Sequence, residues 1–161
     1  MLARRPVLSL LALAAIAGAS AGSIGVLARA RPTAQANPEG EPLGLKGYDP
    51  VAYFTVGTPT AGLAEYDYVY DGVRYLFASA KNRDLFKADP EKYAPQFGGN
   101  CANNMSNGVR RESDPTVWLI IGGKLYVFAG PAGAQRFAQH PQAAAIKAAE
   151  TWKSFRSMVS Q

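Results

Sequence analysis

The sequence predicts an α+β fold: a small single domain with two β-hairpins and several helices, preceded by an N-terminal signal helix. Three observations predict it. Two pairs of apolar, partly alternating runs are each joined by a two-residue turn, Asp71-Gly72 and Gly122-Gly123. Segments with helix caps and stops come after each pair. An uncharged stretch rich in Ala, Leu and Gly, Val7 to Leu27, lies between basic residues and the triplet Ala34-Gln35-Ala36.

A positive start, an apolar middle and an Ala-x-Ala end make residues 1–36 a secretory signal with its cut after Ala36. The opening Arg4-Arg5-Pro6-Val7-Leu8 resembles a loose twin-arginine signal. The apolar stretch, about 20 residues, could also span a bilayer if retained, although Gly18, Ser20, Gly22, Ser23 and Gly25 dilute it. The expected location is periplasmic or secreted, or anchored in the inner membrane if the segment stays uncleaved. No other part of the chain is expected to meet the membrane.

The signal accounts for the basic character. The whole chain of 161 residues carries +5. Residues 1–36 hold four Arg and no acid, so 13 of the 17 basic residues remain against 12 acidic ones, a net +1. A nucleic-acid partner needs a basic patch on the folded part. The nearest candidate, Arg110-Arg111, is followed at once by Glu112, so no nucleic-acid partner is expected. The chain beyond the signal is the size of one domain with one core. Its only cysteine, Cys101, cannot form an internal disulfide.

Residues 37–45 are a tether rich in Pro, Gly and acid, and the domain runs over 46–158. Asp49-Pro50-Val51-Ala52-Tyr53-Phe54 reads as a short helix with Asp49 as N-cap and Pro50 in the first helical position. Glu65 to Tyr70 and Val73 to Phe77 form the first hairpin. Tyr66, Tyr68 and Tyr70 share one face, and Val73, Tyr75 and Phe77 share another. Ser79 caps a helix that stops at Asp89-Pro90, and a further turn runs to Ala94. A Gly-rich connection leads to a polar loop ending near Gly108. The second hairpin pairs Thr116 to Ile121 with Lys124 to Phe128. A helix from about Ala132 to Gln139 stops at His140-Pro141. The last helix, from about Gln142 to Met158, places Ile146, Ala149, Trp152, Phe155 and Val159 three or four apart as an apolar stripe. No repeat of fixed period is visible, although two hairpins each followed by helix suggest a crude duplication.

Several stretches together resemble the small exported proteins carrying a YHS domain, a family related to TRASH-type metal-binding modules. They are Gly47-Tyr48-Asp49-Pro50-Val51-Ala52-Tyr53-Phe54; Tyr75-x-Phe77-Ala78-Ser79-x-x-Asn82-Arg83-Asp84-x-Phe86-x-x-Asp89-Pro90-x-x-Tyr93; Pro95-Gln96-x-Gly98-Gly99-x-Cys101-Ala102; and Gly123-Lys124-Leu125-Tyr126. The resemblance covers about Gly47 to Trp152. It implies a transition-metal role for the cysteine, copper or zinc, and implies no enzyme class. A closed zinc site needs about four N or S ligands, and one chain with a single Cys and a single His cannot supply them. The metal reading is then an open, a dimer-shared or a soft-metal site.

Cys101 comes after Gly98-Gly99, where the backbone can turn sharply and approach a ligand closely. Met105 lies four residues on, and thiolate with thioether suits a soft metal. The alternatives for Cys101 are plain packing and thiol redox chemistry. Asp49, Tyr53 and Tyr93, with Gln96, Gly98 and Gly99, are the candidates for lining a small pocket beside it. Capping and pairing otherwise account for Asp49, Asn82, Arg83 and Asp84, with Arg83 and Asp84 bridging elements. His140, before Pro141, suits a helix-end cap more than a ligand. No catalytic triad order, phosphate loop or Cys-x-x-Cys occurs. The expectation is a binding module for a metal ion or small molecule near Cys101. The alternatives are a thiol-redox enzyme and a structural or interaction domain without chemistry.

Overall fold

Both two-residue turns have the left-handed backbone that a tight hairpin demands. Asp71 and Gly72 have φ of 50° and 71°, and Gly122 and Gly123 have 58° and 75°. The computed structural model describes residues 40–159. The signal segment and the start of the tether lie outside them.

The first hairpin pairs β1 (Leu63–Tyr70) with β2 (Val73–Phe77), and the second pairs β3 (Asp114–Ile121) with β4 (Lys124–Phe128), each as a separate antiparallel sheet. The helices are α1 (Ala52–Thr55), α2 (Ala80–Ala88), α3 (Pro90–Tyr93), α4 (Ala102–Met105), α5 (Pro131–Gln139) and α6 (Pro141–Val159). Two 3₁₀ turns, Gly44–Gly47 and Gln96–Gly99, precede α1 and α4. The class is α+β, as the patterning predicts. The Ser79 hydroxyl accepts from the Asn82 N–H at 3.2 Å and starts α2. The Asp89 carboxylate accepts from the Lys92 N–H at 3.2 Å and starts α3.

The structure overturns the absence of a fixed period. From the hairpins onward, each element recurs 51 residues later. Residues 63–70 become 114–121, 73–77 become 124–128, 80–88 become 131–139, and the helix opening at Pro90 becomes one opening at Pro141. The irregular step recurs too: Leu63 pairs with Phe77 and Asp67 with Leu76, as Asp114 pairs with Phe128 and Trp118 with Val127. Only six of the 31 residues in 63–93 are kept in 114–144: Gly72, Tyr75, Phe77, Ala78, Phe86 and Pro90 return as Gly123, Tyr126, Phe128, Ala129, Phe137 and Pro141. They are a turn glycine, three core aromatics and two residues at helix entries. Those are the positions where geometry leaves least choice.

Each repeat has its own core. Phe86 of α2 meets Tyr68, Tyr70, Tyr75 and Phe77, with ring centroids 5.2–6.3 Å apart. Tyr66, Tyr68 and Tyr70 pack on this core with Val73, Tyr75 and Phe77, as the alternation predicts. Phe137 of α5 plays the same part for Tyr126 at 5.1 Å and Phe128 at 5.4 Å. Leu45, Tyr53, Leu125 and Val127 form the seam between the repeats, with Trp118 against them.

Three expectations are corrected. The inner face of α6 is Ala144, Ala145, Ala148, Trp152 and Phe155, whereas Ile146 and Ala149 are exposed. Ile146 sits off the packed face, which α6 turns chiefly toward α4; the Val159 side chain lies outside the described residues. The first short helix begins at Ala52, because Pro50 and Val51 form a turn beneath it. Arg83 and Asp84 do not bridge elements: they pair with each other on the exposed face of α2 at 3.2 Å.

Candidate functional site

Asp49 and Cys101 occupy the same rung of the two repeats. Each comes directly after a 3₁₀ turn and an isolated antiparallel bridge, Tyr48 with Ala61 and Asn100 with Glu112. Each donates its N–H to the facing loop at 2.8 Å, Asp49 to the Thr60 carbonyl and Cys101 to the Arg111 carbonyl. Their side chains therefore face equivalent ground, the space before α2 and the space before α5.

In the first repeat that space is filled from within. The Asp49 carboxylate is fully buried. One oxygen accepts from the Val51 and Ala52 N–H groups at 2.8 and 3.4 Å, the other from the Ala78 N–H at 2.8 Å and the Asn82 amide at 2.6 Å. A buried charge is tolerated when every lone pair is met, as here. Asp49 is thus the cap its position suggested and also the tie between the α1 turn and the start of α2.

In the second repeat the carboxylate is replaced by a thiol and the asparagine by Gly133. A cavity of about 290 Å³ opens there, lined by Cys101, Asn103, Asn104, Arg111, Arg136 and the 129–133 segment. Cys101 is 1% exposed and Asn103 9%. The Ser106 hydroxyl and the Asn107 amide both bond the Asn103 carbonyl, while among the described residues the Asn103 side-chain amide has no hydrogen-bond partner.

The other candidates lie elsewhere. The Tyr53 hydroxyl donates to the Pro115 carbonyl at 2.9 Å across the seam, and burial pushes its ionisation well above the ordinary tyrosine range. Tyr93 packs edge-on against Phe54 at 5.4 Å in the first core. Neither they nor Asp49 border the Cys101 cavity. Gln96, Gly98 and Gly99 line a separate, larger cleft of about 1020 Å³ beside α6. Gly98, at φ 60°, lets the chain pass under Trp152, where a Cβ would stand 3.0 Å from the ring. That cleft has both acidic and basic walls, whereas the smaller cavity is the one that Cys101 borders and is the better candidate. Met105 is sealed in the second core and borders neither space. His140 is exposed and its carbonyl, not its ring, accepts from the Ala144 N–H.

Asn103, Gly133 and Arg136 escaped the sequence reading, and Arg111 is weighed there only for a nucleic-acid patch. The signal that finds Gly133 is the parallel of Tyr75-x-Phe77-Ala78-x-x-x-Asn82 with Tyr126-x-Phe128-Ala129-x-x-x-Gly133.

A closed zinc site does not fit. Among the described residues no three His, Cys, Asp or Glu side chains come together. Among them, too, no helix is long and apolar enough to cross a membrane.

A tandem pair of 3₁₀-turn, hairpin and helix units with a buried cysteine at the second cavity is the class of protein that the fold defines. The family profile described as YHS domain matches residues 51–97, essentially the first repeat. The chain contains a YHS domain. No curated protein and no solved structure matches it.

Proposed function

We propose that this is an exported binding module that holds its ligand, a small molecule or a transition metal ion such as copper or zinc, in the cavity over Cys101. One observation carries the reading. The thiol is almost wholly withdrawn from solvent yet forms a wall of a cavity that the Asn103 side chain also borders, its amide open to that space. The YHS domain supports a metal-binding reading in general terms. A thiol-redox enzyme would need a base or a second thiol beside Cys101. Among the described residues the cavity walls hold neither His nor another Cys. Residues 1–36 would carry the domain out of the cytoplasm, and lysine in place of both Arg4 and Arg5 would strand the precursor there if the twin-arginine route is used.

The test is elemental analysis of the purified 37–161 chain, with Cu(I), Zn(II) and small-molecule titrations of the wild type and Cys101→Ala. A ligand or metal whose binding is lost in the variant is the expected result. Wild type and variant that respond equally, or not at all, would remove the site.

A further inference from the structure

The proposed ligand site at Cys101 gains a chemical class from the comparison of the two repeats. We propose that the second-repeat cavity receives the carboxylate of a small anionic ligand, in the place that the Asp49 side chain fills in the first repeat. This rests on the reading of the Cys101 cavity as the ligand site.

The argument is one of substitution within a single chain. In the first repeat a carboxylate bonds the N–H just beyond β2 (Ala78) and an amide from the first turn of α2 (Asn82). In the second repeat the corresponding N–H, Ala129, has no acceptor among the described residues. Position 133 is glycine, so both the internal anion and its amide partner are missing. The room is real: a Cβ on Gly133 would stand 3.6 Å from Asn103 Cβ, and 3.9 Å from its Nδ2, in ordinary contact. Asn103 is nine-tenths buried, borders the cavity and has an unused amide, the donor that Asn82 provides in the other repeat.

Charge agrees with this. The nine-residue α5 points its N-terminus at the cavity, and its cap, Gly130, offers no side-chain acceptor. Arg111 and Arg136 stand on the walls, neither in an ion pair among the described residues, and no acidic side chain lines the space. Two guanidinium groups, a helix N-terminus, a backbone N–H without a protein acceptor and the Asn103 amide form a donor set with no carboxylate on its walls. It is complementary to a carboxylate.

The test is an NMR titration of the 37–161 chain with sodium acetate, sodium phosphate and, at matched ionic strength, sodium chloride. Acetate should shift the amide signals of Ala129 and Gly133 saturably, and chloride should not. Arg136→Ala, an exposed change that leaves the core intact, should weaken acetate binding by about ten-fold. The pair Cys101→Asp with Gly133→Asn rebuilds the first-repeat plug and should abolish the acetate response while keeping the melting temperature near that of the wild type. Saturation by phosphate alone would overturn the carboxylate assignment. No response to either oxyanion, with Cu(I) binding lost in Cys101→Ala, would overturn the anion proposal and leave the Cys101 site standing. No response to any of these probes would remove both.

Discussion

The Asp49 carboxylate accepts a hydrogen bond from the Asn82 amide at 2.6 Å, and the pair holds the α1 turn to the start of α2. Removing the acceptor leaves several donors facing a buried space without partners. Asp49→Ala should therefore cost about 3–5 kcal/mol, and Asn82→Ala about 1.5–3 kcal/mol. Urea unfolding of both variants checks this. A loss below about 1 kcal/mol for Asp49→Ala would show that the carboxylate is not the tie described.

The two phenylalanines that centre the repeats should be equally indispensable. Phe86→Ala and Phe137→Ala each remove a fully buried ring from a cluster of aromatics. Each should cost about 3–5 kcal/mol. If one of them unfolds only its own repeat, hydrogen exchange will show the other still protected. If the seam of Leu45, Tyr53, Leu125 and Val127 couples the halves, both will open together.

Alkaline pH should destabilise the domain through its buried tyrosines. Burial raises the ionisation of Tyr53 and Tyr75 well above the ordinary tyrosine range. Above about pH 10 the unfolded chain releases these protons while the folded chain keeps them. The folded state then binds more protons, so stability is full below pH 10 and falls as pH rises beyond it. Melting temperature against pH in Tyr53→Phe and Tyr75→Phe should show a shallower fall than in the wild type. Curves of identical slope would refute the assignment.

Gly98 is held between its backbone and a ring. With φ at 60° and Trp152 at 3.0 Å from a would-be Cβ, Gly98→Ala carries both conformational strain and a clash. Strain alone is worth about 1–2 kcal/mol. In a double-mutant cycle with Trp152→Ala, the clash part should vanish and the strain part remain. Strict additivity would mean the ring yields freely.

Asp114 is a surface example of the same local logic. Its carboxylate accepts from the Thr116 hydroxyl at 2.7 Å and from the Thr116 N–H at 2.9 Å, and these bonds hold its ionisation below the ordinary aspartate range. Thr116→Val should move the Asp114 titration upward in a carbon-detected NMR pH series. An unchanged midpoint would rule out the hydroxyl as the cause.

Local structure in this protein is legible in the sequence. Asp71-Gly72 and Gly122-Gly123 admit tight turns, Ser79 caps the helix after the first of them, and alternation places Tyr75 and Phe77 inward. These are short-range effects in which a residue's own backbone preference or its neighbour three positions away decides the outcome. The duplication and the site were set by tertiary packing instead. With six residues kept in 31, the repeat is carried by register and packing, which many side chains satisfy equally. The equivalence of Asp49 with Cys101 is a matter of which strand rung each occupies. It rests on bonds to Thr60 and Arg111 that lie about ten residues away in the chain. Cys101 stands out in the sequence for its chemistry; its setting, a thiol where the other repeat keeps a carboxylate, emerges only when two folds with diverged sequences are superposed.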